Sequence, residues 1–133
     1  MAVTALLRLV KLTGDADLLA RAETTLGLYA ELMASRPFAT AQMLIALDYY
    51  LGPVQEFAVV GDPQAEETRR VLRAIQSRFR PGKAVAVGSD DRVPLLAGKT
   101  AKEGKVTTYL CENFACQEPL VGAEALESAL GSG

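Results

Sequence analysis

The chain has 133 residues, 50% of them apolar and 23% charged, with a formal net charge of -2. That is enough for one globular domain or two small subdomains, and too apolar for a disordered segment. The near-balanced charge leaves no basic footprint for nucleic acid or an anionic membrane, no apolar run approaches the roughly 20 residues of a membrane span, and the absence of histidine removes the commonest general acid/base and metal ligand.

Residues 2–12 are apolar at nearly every position, broken only by Thr4, Arg8 and Lys11. No basic n-region precedes this run, and Arg8 and Lys11 interrupt it, so it reads as a core helix of a soluble, cytoplasmic protein and not as a signal peptide. Gly14 can end the helix in the left-handed conformation, and Asp15 then serves as N-cap of a second helix reaching about Ala34. Leu18, Leu19, Ala22, Leu26, Tyr29, Ala30 and Met33 fall on one stripe of that helix at helical spacing. The third segment, PFATAQMLIALDYYL over 37–51, begins on proline and is ended by Gly52-Pro53. It is apolar almost all round, like the first helix. Two such helices expect neighbours on every side, and one amphipathic helix cannot supply them. Part of the surface of the first and third helices is therefore expected to meet another subunit, as in a homo-oligomer, or to be where a larger helical array was cut.

After Pro53 the period changes. VQEFAVVG (54–61) reads as a buried strand, Asp62-Pro63 as N-cap and first turn of a helix, and Val71, Leu72, Ile75 and Phe79 as the buried stripe of that helix. Pro81-Gly82 turns the chain into KAVAV (83–87), completing a βαβ unit with parallel strands. Residues 88–105 are loop-like, VTTYL (106–110) alternates as a third strand that delivers Cys111 at its end, and a short helix spans about 123–130 before a GSG tail. The expected fold is mixed α/β: three N-terminal helices, then a small β-α-β-β-α layer with a short, partly parallel three-stranded sheet. Residues 1–52 form the helical segment and 53–133 the α/β region, packed together as one unit.

Few stretches look like chemistry. VVGDPQAEETRR joins a strand to a helix through glycine, but Asp62, Glu66 and Glu67 oppose an anion there and the three-glycine pattern is missing. AGKT (97–100) resembles the tail of a phosphate-binding loop, yet Val93 stands where the first glycine is needed. Asp48, among apolar residues near a helix C-terminus, is a candidate cleft carboxylate with a raised pKa, against the plainer reading of a solvated side chain. Cys111 and Cys116 lie in TTYLCENFACQEP. Two cysteines supply only half a tetrahedral zinc shell, so neither metal nor cofactor is expected. No lysine or arginine stands between them to stabilise a thiolate, and a disulfide across so short a loop needs the right Cα separation. Buried structural thiols are the default, with a redox pair as the rival.

TTYLCENFACQEPLVGAEALESAL, together with LLRLVKLTGDADLLARAE, the proline-led helix 37–51, QEFAVVGDPQAEETRRVLRAI and the Arg80-Pro81-Gly82-Lys83 turn, resembles the end of a thioredoxin-domain-containing family. This family comprises the bacterial YyaL-like and animal spermatogenesis-associated proteins. The most specific element is Cys-Glu-Asn-x-Ala-Cys followed by Pro119. The resemblance implies a parent with a thioredoxin-like domain, a toroid of paired helices similar to sugar epimerases and six-hairpin glycosidases, and a small α/β end. This chain then corresponds to the last toroid helices plus that end, and its bare helices to surfaces that those missing parts cover. Three functions follow as expectations: a non-catalytic structural or interaction module, a thiol-disulfide accessory site at Cys111 and Cys116, and a contribution to a sugar-binding toroid.

Overall fold

The computed structural model describes residues 1–112 and 115–131; Asn113 and Phe114 of the cysteine motif, and Ser132 and Gly133 of the GSG tail, lie outside the described residues. The chain divides into two compact units, Met1–Pro53 and Val54–Gly133. The mixed α/β class holds, with six helices and a five-stranded sheet among the described residues.

The first unit is helical. α1 (Ala2–Thr13) ends as its sequence requires: Gly14 takes φ 68° and donates its N–H to the Val10 carbonyl. Asp15 caps α2 (Ala16–Leu28) by accepting from the N–H groups of Asp17 and Leu18, two of the donors a helix start leaves unsatisfied. The expected long second helix is in fact two. Its ladder loosens at Tyr29, whose N–H is shared between the Thr25 and Leu26 carbonyls at 3.3 Å each, and α3 (Ala30–Ser35) resumes beyond it. Gly27, just before the break, lowers the cost of that local tightening. The proline-led helix also starts late. Residues 37–40 form turns stapled by the Thr40 hydroxyl, which donates to the Arg36 carbonyl, and α4 covers Ala41–Leu51. The first unit thus has four helices where three were expected. α1 packs on α2 and α4, and α4 also meets α2 and α3. Val3, Leu7, Ala22, Leu26, Met33, Ala46 and Tyr49 are buried.

The second unit is built on β1 (Gln55–Val60), α5 (Glu66–Gln76), β2 (Lys83–Val87), β3 (Thr107–Glu112), β4 (Ala115–Cys116), β5 (Leu120–Val121) and α6 (Gly122–Gly131). β1 and β2 are parallel, as a helical crossover demands, and β3 joins the other side of β1 antiparallel. β4 and β5 both pair with the far side of β3, so the strand order is β2-β1-β3-β4 with β5 beside β3. Phe57 and Val59 of β1 lie with Val71 and Ile75 of α5 and Leu126 and Leu130 of α6 in one hydrophobic core. Ala58 and Val60, on the opposite face of β1, are buried as well, and burial on both faces is why the strand reads as a continuous apolar run with little alternation.

Several local expectations are corrected. Asp62 does not cap α5; its carboxylate accepts from Gln64 N–H in a separate turn, and the helix starts at Glu66 after Ala65. Phe79 is not in the core. α5 ends at Gln76, the side chain falls off the helical stripe, and it is 93% exposed. The sheet has five strands, not three, and Cys111 sits inside β3, not at its end, because β3 continues into a hairpin with β4. β4 and β5 have two residues each, too short for any alternation to show.

At the surface of the second unit, Arg70 of α5 grips Glu127 of α6 through two hydrogen bonds of 2.7 and 2.6 Å. The guanidinium holds the Glu127 carboxyl below the ordinary glutamate range. A depressed carboxylate pKa adds stability that is present above the unfolded-state value and lost as the pH falls through the folded one. Both side chains are partly exposed, so the contribution is small. An NMR titration of Arg70→Ala is expected to move the Glu127 midpoint back up; no movement would mean the bridge does not persist in solution.

Candidate functional site

Cys111 and Cys116 form a disulfide with a Cα–Cα separation of 3.9 Å. The hairpin explains why they meet. Gln117 N–H donates to the Leu110 carbonyl at 2.9 Å, making that pair hydrogen-bonded. The next facing pair, Cys111 and Cys116, is therefore a non-hydrogen-bonded one, the kind in which side chains approach most closely. The expectation of two buried thiols is corrected: both sulfurs are bonded, and only Cys111 is buried, at 2% exposure, while Cys116 stands exposed on β4 at the sheet edge. The disulfide closes a short loop, sequence separation 5, so its loop-entropy stabilisation is about 2 kcal/mol. Urea unfolding with and without reductant is expected to show that difference, and equal midpoints would contradict it.

On the other side of β3, the residue facing Cys111 is Glu56 of β1, with Ala84 of β2 beyond it. Residues directly opposite on neighbouring strands share a sheet face, with Cβ atoms roughly 4.5–5.5 Å apart. Glu56 is fully buried, and so are Ala58 and Val60 on the same face of β1. Small side chains at Ala58, Ala84 and Ala86 leave this face low beside the carboxylate. Glu56 was not singled out from the sequence. It is one of two polar residues, with Gln55, at the start of an otherwise apolar strand, and only the strand register puts it beside a cysteine. Its placement within the strand VQEFAVVG, at a position expected to be buried, was the available signal.

Asp48 belongs to the helical unit. It is exposed in the last turn of α4 and lines neither of the two cavities described next. The two glycine-bearing stretches set aside in the sequence do meet. Gly61-Asp62 and Gly98-Lys99-Thr100 line a cleft of about 680 Å³ beyond the carboxyl ends of β1 and β2, where ligands of parallel sheets often bind. Asp62 and Asp91 stand there against a single Lys99, so the charge still opposes an anion. The helical unit carries a more apolar groove of about 480 Å³, lined by residues including Leu26, Met33, Leu44, Leu47 and Tyr50. Tyr50 donates to Glu23 on its rim at 2.9 Å, and the carboxylate holds the phenol above its ordinary pKa. Leu28, Leu32, Phe38, Ile45 and Leu51 are further exposed apolar side chains of this unit. No described helix is long and apolar enough to cross a membrane.

No family model matches the chain, and no solved structure does. Over 122 residues it is 30% identical to spermatogenesis-associated protein 20 of Rattus norvegicus, an alignment covering 86% of this chain and 16% of that protein. The proteins of the same name from Mus musculus and Homo sapiens are each 29% identical, again over 86% of this chain, and over 15% and 16% of their own length. The chain thus spans about 16% of the length of the curated relatives it matches.

Proposed function

We propose that the chain is a non-catalytic structural and interaction module, the C-terminal part of a longer thioredoxin-domain-containing protein related to spermatogenesis-associated protein 20. The observation that carries this reading is the apolar surface of the helical unit: the groove between α2, α3 and α4, and around it Leu28, Phe38, Ile45 and Leu51 exposed. Apolar surface on this scale normally marks a contact. The occupant proposed is the set of helices preceding this region in a longer chain, since the matched relatives extend far beyond the aligned part. In that setting α1–α4 are the closing helices of an α/α toroid, and the second unit is an α/β end piece working in the cytoplasm.

Light scattering and binding of an apolar dye test this. The chain alone is expected to self-associate and to bind the dye, because its own copies are the only cover available. Adding the preceding helical region of the full-length relative is expected to give a 1:1 complex that no longer binds dye. A chain that stays monomeric, takes up no dye and ignores that region would overturn the proposal. Stable dimers indifferent to the added region would replace the parent protein by a second copy as the natural occupant.

A further inference from the structure

We infer that the cleft beyond the carboxyl ends of β1 and β2 binds a small zwitterion with a polar body, of the dipeptide kind. Asp62 takes its ammonium group, Lys99 its carboxylate, and the Thr68 hydroxyl a polar group of the body.

The cleft of about 680 Å³ adjoins a smaller cavity of about 270 Å³, and Gly61, Asp62 and Ala101 line both. These volumes are those of small-molecule sites. The walls are pinned by the sheet. Tyr109 of β3 donates its hydroxyl to the Thr100 carbonyl at 2.8 Å, and Gly88 N–H donates to the Val59 carbonyl at 3.0 Å. The buried Thr107 hydroxyl accepts from Lys102 N–H and donates to the Lys105 carbonyl, which fixes the turn carrying Lys105. Such a pocket is formed before its ligand arrives.

Thr68 is the residue that points to a ligand. It is 1% exposed and lines the smaller cavity, yet its hydroxyl has no hydrogen-bond partner among the described residues. Helical threonines of the first unit donate to the carbonyl four residues back, as Thr24 does to Ala20 and Thr25 to Arg21. For Thr68 that residue is Gln64, which precedes α5, so no helical carbonyl stands behind the hydroxyl. A buried hydroxyl without a partner is costly, and a ligand group in the cavity offsets that cost. Gly61 keeps the hydroxyl accessible, since a methyl group there would stand 2.9 Å from Thr68 Oγ1.

The charges select the ligand. Asp62, Asp91 and Lys99 line the larger cavity, and Glu67 and Lys105 the smaller. Among the described residues no salt bridge joins these carboxylates to these lysines. The guanidinium groups nearby are engaged elsewhere, Arg69 with Gln64 and Arg92 with Asp90. An anion meets the carboxylates and a dication meets the lysines, whereas a zwitterion gives each sign a partner. Lys99 is half-buried while the other charged residues of the lining are exposed, so a contact there is screened least. Asp62 stands where the two cavities join, next to the glycine that faces Thr68. A peptide amide offers both a donor and an acceptor to that hydroxyl.

The test is an NMR titration of the intact, isotope-labelled chain with alanylglutamine, its N-acetyl form and its C-terminal amide, followed at the Gly61, Lys99 and Thr100 amides. The free dipeptide is expected to give saturable shifts confined to the cleft, and each capped form to bind about 10- to 100-fold more weakly. Lys99→Gln is expected to weaken the free dipeptide by the same factor without weakening the C-terminal amide further. Asp62→Asn is expected to do the same with respect to the N-acetyl form. Thr68→Val keeps the shape and is expected to weaken all three ligands while the melting temperature holds or rises, because only an unpartnered hydroxyl is lost. A fall in melting temperature with unchanged binding would remove Thr68 from the site. No saturable shift with the free dipeptide, equal binding of the capped forms, or shifts centred away from the cleft would each overturn the inference. The three peptides decide it on the unaltered protein, whatever the variants do to folding.

Discussion

Phe57→Ala is expected to destabilise the α/β unit by about 3–5 kcal/mol. Phe57 is fully buried at the middle of the sheet, facing Val85 on β2 and Leu110 on β3. Above it, α5 contributes Val71 and Ile75, and α6 contributes Leu126, to the same core. Removing the ring takes its apolar area out of the folding balance and leaves a cavity that five rigidly placed neighbours cannot close. Domain stabilities are typically about 5–15 kcal/mol, so this one change threatens the whole unit. Phe57→Leu keeps most of the volume and is expected to cost less than about 1.5 kcal/mol. Urea denaturation checks both. A loss below about 1 kcal/mol for the alanine variant, at unchanged denaturant slope, would mean that the ring is not enclosed as described.

Gly61→Ala is expected to cost about 1–3 kcal/mol, through crowding and not through backbone strain. Gly61 does not have the positive φ that favours glycine elsewhere in the chain; what it lacks is room. A methyl group there would stand 2.9 Å from Thr68 Oγ1, 3.1 Å from Val106 Cγ2 and 3.3 Å from Val106 Cβ. Thr68 is itself buried in the first turns of α5, and its β-branched side chain has few rotamers to escape into. The end of β1 must therefore pass closely under α5 for the crossover to close, and glycine is the residue that lets it. Adding Thr68→Ala removes the nearest obstacle. The double variant is then expected to recover part of the loss, with a coupling of about 0.5–1 kcal/mol in a double-mutant cycle. Strict additivity would place the cost elsewhere.

What the sequence disclosed was what local chemistry decides. Gly14 and Asp15 marked the boundary of the first two helices because a left-handed cap and a side-chain cap act over one turn. The parallel βαβ unit was legible because length and turn residues leave a crossover no other geometry. The break at Tyr29 and the late start of α4 were not, since periodicity continues across both while the hydrogen-bond ladder does not. Phe79 shows the same limit: its spacing fits the helical stripe, but the helix stops three residues earlier. The candidate site was half legible. The cysteine pair drew notice, whereas β4 is two residues long and Glu56 lies 55 positions before Cys111 in the chain. Only the register of β1 on β3, a long-range fact, joins those pieces. Asp48, an acid among apolar neighbours in the sequence, stands exposed in the last turn of α4, because neighbours in sequence are not thereby neighbours in space.

The strand order has a consequence for the path of folding. β1, α5 and β2 are contiguous over residues 55–87, and β3, β4, β5 and α6 over 107–131, so each half can assemble from contacts close in sequence. The strand seam between them is β1 against β3, where Phe57 faces Leu110 and Glu56 faces Cys111, and α5 meets α6 across the same divide. Closing that seam pays the entropy of the intervening loop before any of its contacts are gained. The residues along it govern how fast the α/β unit forms, whereas those on the outer strands govern mainly how long it lasts.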